Sequence, residues 1–126
     1  MLRLILRVQG ALYLLTGLWP LVHLPSFELV TGPKTDDWLV KTVGLLTAAI
    51  GATLWAAAWA PRPPHPAHPA GPLVFLGAAT AASFAAVDLV YALGGRISAV
   101  YLLDAALELA LLLALALGWW RARGEG

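Results

Sequence analysis

Cysteine is missing altogether from the 126 residues, which rules out disulfides, thiolate catalysis, thioether-bound haem and iron–sulfur clusters at once. Charge is nearly as scarce: charged residues make up 12% of the chain, against roughly a quarter in an ordinary soluble domain. The eight Lys and Arg are scattered and the net charge is only +1, so the basic stripe that nucleic acid requires is absent. Nor does the sequence supply a phosphate-binding loop, an activated nucleophile or a set of metal ligands. No cofactor is implied, and a redox role would need a borrowed one.

What fills the chain instead is apolar, at 60% of all residues. A membrane span needs roughly 20 predominantly apolar residues, and four segments qualify: 4–24, 38–59, 73–93 and 97–120. The expected fold is therefore all-α, a single domain over 1–126 forming an integral membrane four-helix bundle. Arg3 and Arg7 ahead of the first run suit a signal peptide, yet no small-residue cleavage pattern follows Leu24, so that run reads as a retained span. The span boundaries carry marks of their own. Asp36 and Asp37 suit the start of the second helix, Pro72 the first turn of the third, Gly94 and Gly95 a break, and Ser98 a cap near the fourth. Five of the six tryptophans (Trp19, Trp38, Trp59, Trp119 and Trp120) fall near span ends, where amphipathic rings prefer the headgroup zone.

With four spans, both termini and the middle connection share a side. That side collects Arg3, Arg7, Arg62, Arg121 and Arg123, against Lys34, Lys41 and Arg96 opposite, five to three. Basic residues in short loops stay inside, so both termini are expected in the cytoplasm of a bacterial cell, the protein being multi-pass in its cytoplasmic (inner) membrane. The Pro-rich middle connection, 61–72, reads PRPPHPAHPAGP and is expected as an extended, polyproline-like cytoplasmic loop. His65 and His68 share one edge of such a helix, but two imidazoles without further ligands are weak candidates for metal.

The costly residues are three carboxylates inside proposed spans: Asp88 on the third, Asp104 and Glu108 on the fourth. An ionisable group at mid-membrane costs about 2.5–3.5 kcal/mol on insertion scales and marks a functional site by default. At a rise of about 1.5 Å per residue, Asp88 lies roughly five residues in from the outer end of its span and Asp104 roughly seven, with Glu108 one turn deeper. Tyr101, Asp104 and Glu108 recur at helical spacing. On the first span Gln9, Tyr13, Thr16, Pro20 and His23 form a single polar stripe that should not face lipid. Gly77, Ala81, Ala85, Asp88 and Ala92 give the third span a small face for close packing, as Gly44, Ala48 and Gly51 do on the second. Lys41 and Arg96 stand above the acids on the outer side. Together these residues predict a cavity in the outer half of the bundle, lined by Asp88, Asp104, Glu108, Tyr13, Thr16, Tyr101, Lys41 and Gln9 and floored near Tyr13 and Glu108. The competing view makes the same residues internal staples, with Asp88 or Asp104 paired to Lys41 or Arg96 and Glu108 left over.

The stretch QGALYLLTGLWPLVHLPSFELVTGPKTDDWLVKTVG and the later RISAVYLLDAALE resemble small four-span bacterial membrane proteins with no assigned activity. In size and span count the chain is also similar to DoxX-like membrane proteins, some of which accompany quinone-linked oxidoreductases. In a different way it resembles the EXPERA superfamily of sterol isomerases and sterol-binding receptors, whose helical bundles hold intramembrane carboxylates around an amphipathic ligand. The histidine and tryptophan pattern of the isomerases is not present, so no catalytic residue is carried over.

Three functions remain in play. The first is a protein of the lipid bilayer whose cavity binds a lipid-like or amphipathic small molecule. An accessory or structural subunit, docking on a second copy or on a partner membrane subunit, is the alternative. A proton or cation pathway through the acids is the third; the inner half offers it only Gln9. An enzyme is disfavoured, because nothing sharpens the i, i+4 acids into acid and base.

Overall fold

The computed structural model describes residues 1–61 and 70–125. Every regular element among them is helical: α1 (Leu2–Val22), α2 (Leu24–Thr31), α3 (Asp37–Trp59), α4 (Ala70–Leu93) and α5 (Val100–Gly124). All but α2 are long and apolar enough to cross a membrane, with mean hydropathies of 1.3, 1.5, 1.9 and 2.2 in chain order. Ala70, Gly71 and Pro72, expected at the end of the Pro-rich loop, already belong to the first turn of α4. A proline is tolerated there because its missing N–H has no intrahelical partner to lose. His65 and His68 lie outside the described residues.

The short α2 is an addition to the four expected helices. His23 ends α1, its N–H bonded to the Trp19 carbonyl at 2.9 Å, and at once caps α2, its Nδ1 accepting from the Ser26 N–H at 3.2 Å. Pro25 sits in the first turn of α2, where it belongs. Trp19 of α1 then holds the new helix down, donating from Nε1 to Ser26 Oγ at 2.8 Å and packing edge-on against Phe27. Gly32, at φ +98°, turns the chain out of α2 and into the loop before α3.

Helices in a membrane-like environment gain little from apolar contact as such and must approach closely. On α1, Gly10 and Gly17 lie about two turns apart and face Gly51 and Gly44 of the antiparallel α3. A Cβ on Gly10 would stand 2.6 Å from the Trp55 nitrogen, and one on Gly17 would stand 2.5 Å from both the Ala48 nitrogen and the Gly44 oxygen. Only hydrogen fits, so the two backbones touch. The second tight pair is α4 with α5, through Val74, Ala81, Ala85 and Ala105, all buried.

The two pairs share a buried apolar core toward one end. There Leu6 of α1, Leu54 and Ala58 of α3 and Leu111 and Leu115 of α5 form the buried core. Toward the other end the pairs part: among the described residues the backbones of α3 and α5 nowhere come close, and α2 bridges from α1 to α5.

Candidate functional site

Where the pairs part there is a cavity of about 600 Å³, within the range of small-molecule sites, roughly 300–1,000 Å³. Tyr13, Thr16 and Pro20 of α1 form its back, Phe27 of α2 its cover, Val40, Val43 and Thr47 of α3 one wall, and α4 with α5 the other. Leu39 and Val43 on α3, and Leu103 and Leu107 on α5, both line the cavity and stand exposed. The cavity therefore opens sideways, between two apolar lips.

Its polar content is concentrated on one wall. Glu108 is 2% exposed and accepts a 2.5 Å hydrogen bond from the Tyr13 hydroxyl. Tyr13 in turn accepts from Gln9 Nε2 at 3.2 Å, and the same amide donates to the Gly77 carbonyl at 2.8 Å. This chain links α1, α4 and α5 through fully buried groups. Gly77 leaves room for it, since a Cβ there would lie 2.6 Å from Gln9 Oε1 and press on the end of that side chain. Asp88 is 4% exposed, lies within reach of Asp104 across the α4–α5 contact, and has an Oδ2 with no hydrogen-bond partner. A buried acceptor in that condition costs about 1–3 kcal/mol, more when charged.

Of the residues expected to form the site, Asp88, Asp104, Glu108, Tyr13, Thr16 and Tyr101 line this one cavity. Gln9 lies behind it, holding Tyr13. Thr16 spends its hydroxyl proton on the Leu12 carbonyl at 2.7 Å. Lys41 is different: it is exposed on α3 and absent from the lining, which takes its cation from Lys34 instead. Lys34 Nζ donates to the Thr31 carbonyl at 3.2 Å and lies 5.1 Å over the Tyr101 ring. Arg96 is also exposed, in the α4–α5 turn. Hence neither base expected to neutralise the acids does so, and among the described residues no ion pair holds any of the three. The acid left over is Asp88 rather than Glu108, because Tyr13 reaches the deeper carboxylate.

Lys34 and Phe27 were not legible as site residues. Depth counted along a helix says nothing about a loop lysine, and the fold of residues 24–31 back across the bundle carries no periodic signal. Among the described residues no group of three His, Cys, Asp or Glu side chains is gathered to hold a metal ion. No protein family, curated protein or solved structure matches this chain.

Proposed function

We propose that this chain is a multi-pass protein of the bacterial cytoplasmic membrane, both termini inside, whose cavity holds a lipid-like or amphipathic small molecule. Membrane residence is supported by the surface as well as by hydropathy. Leu4, Leu15, Phe75, Val90, Leu103 and Trp120 are each more than half exposed, around all sides of the bundle, and such a surface in water would aggregate. The orientation rests on the five-to-three distribution of basic residues.

One observation carries the ligand reading: the unpartnered Asp88 carboxylate aimed into a cavity whose mouth is apolar and opens sideways. An amphiphile satisfies both halves, its polar end meeting Asp88 and Asp104 and its apolar part lying between Leu39, Val43 and Leu103. The test is native mass spectrometry of protein extracted gently from its own membranes, beside Asp88→Asn and Asp104→Asn. A small molecule carried by the wild type and lost from both variants supports the reading. Wild-type protein that arrives bare sinks it.

The structural-subunit reading keeps one specific support, the Gln9–Tyr13–Glu108 chain, which staples three helices without any ligand. It accounts for Glu108 and Gln9. It leaves Asp88 without a role.

A further inference from the structure

Asp88 and Asp104 lie within hydrogen-bond reach of one another across α4 and α5, and no side-chain donor elsewhere among the described residues bonds Asp88 Oδ2. Tyr13 gives its proton to Glu108, Thr16 to the Leu12 carbonyl and Thr47 to the Val43 carbonyl. Lys34 is held at the mouth by Thr31 and the face of Tyr101. A metal ion is a poor occupant, since a hard cation seeks several oxygen ligands and the described acids are not gathered as a set of three. What the pair requires is positive charge together with an N–H directed at Asp88 Oδ2, in a molecule whose remainder is apolar enough to leave through the lips at Leu39, Val43 and Leu103.

Resting on the amphiphile reading above, we propose that the cavity takes an amphiphile with a primary ammonium head, its N–H groups on Asp88 and Asp104 and its hydrocarbon part directed out between α3 and α5. The head must bring both charge and N–H groups, as a primary ammonium does, because of what the other common lipid heads lack. A trimethylammonium brings charge but no N–H, and would bury Asp88 Oδ2 against methyl groups. An alcohol brings a donor without charge, and a charge-assisted hydrogen bond is roughly twice as strong as a neutral one. A fatty acid brings a fourth carboxylate beside three. The same head occurs on a free long-chain amine and on an ethanolamine phospholipid. Lys34, over the Tyr101 ring and on the same cavity lining as Asp104, is the cation available to the phosphate of the second.

The experiment uses the full chain in phosphatidylcholine nanodiscs, titrated with dodecylamine, dodecyltrimethylammonium and dodecanol and read by native mass spectrometry. Dodecylamine is expected to bind at least tenfold more tightly than the other two, and Asp88→Asn to erase that difference. Asp104→Asn, on the other helix, repeats the test should Asp88→Asn fold poorly. Equal retention of all three compounds overturns the ammonium assignment and leaves the amphiphile cavity standing. Retention of none by folded wild-type protein overturns both. Lysophosphatidylethanolamine then separates the sources: Lys34→Gln weakening it but not dodecylamine names the lipid headgroup, and equal insensitivity names the free amine, either result upholding the ammonium site.

Discussion

At one end of the bundle Leu54 and Leu115 are sealed from solvent between the two helix pairs, while at the other Leu103 and Val43 stand exposed on either side of an open cleft. The same four long helices build both ends, so the difference lies in which side chains face inward. At the closed end they are leucines and alanines, and the polar groups bordering it, Gln9, Tyr13 and Glu108, are bonded to one another. At the open end the inward groups include Asp88 and Asp104, set against each other with Asp88 Oδ2 lacking a partner, and Phe27 of α2 lies in the lining beside them. The glycine contacts of α1 with α3 run through both ends, Gly10 on Gly51 and Gly17 on Gly44, so the cleft opens between the two helix pairs and not within either. Beyond Gln9, where that buried polar chain ends, lie Leu6 and Leu54 of the core.

Substitutions sharpen that contrast in order of size. Gly17→Val forces a branched side chain onto the backbone of Ala48 and Gly44, and neither can give way. Overpacking costs about 1–3 kcal/mol and occasionally more, so the loss should reach the top of that range or abolish the folded state in a thermal melt followed by tryptophan fluorescence. A variant that melts with the wild type would break the account of α1 on α3. Tyr13→Phe removes the donor to Glu108 and leaves a buried carboxylate oxygen without a partner, a loss of about 1–3 kcal/mol in the same melt. Glu108→Gln should cost less than Tyr13→Phe, since an amide oxygen still accepts from Tyr13. Gly77→Ala meets only the flexible end of Gln9 and is expected to cost about 1 kcal/mol. Asp88→Asn should cost the least stability, because the amide can still donate to Asp104, and its main effect should fall on ligand retention.

Much of this was legible in the sequence, and the rest was hidden for physical reasons. Four apolar spans and the grouping of Asp88, Asp104, Glu108, Tyr13 and Tyr101 follow from helical periodicity, which is a property of single helices. The small face through Gly77, Ala81 and Ala85 follows likewise, and all three are buried. Gly10 and Gly17 escaped because the stripe on α1 drew attention through its polar members, although a repeat of glycines every second turn is a readable signal. The helix α2 escaped because eight residues beginning near Pro25 are too few for periodicity and resemble a plain break. The exchange of Lys41 for Lys34, and of Glu108 for Asp88 as the unsatisfied acid, depends on side-chain reach across helices, which spacing along one helix does not encode.

The contrast between the ends is tested most directly by thiol labelling, for which a chain without cysteine needs no prior mutation. Thr16→Cys, on the back wall of the cavity, and Ala58→Cys, in the closed core, would be exposed to N-ethylmaleimide in nanodiscs with and without dodecylamine. The account predicts fast labelling at Thr16→Cys, slowed by the amine, and none at Ala58→Cys on the same timescale. Equal labelling at both positions, or a rate at Thr16→Cys indifferent to the amine, would contradict it.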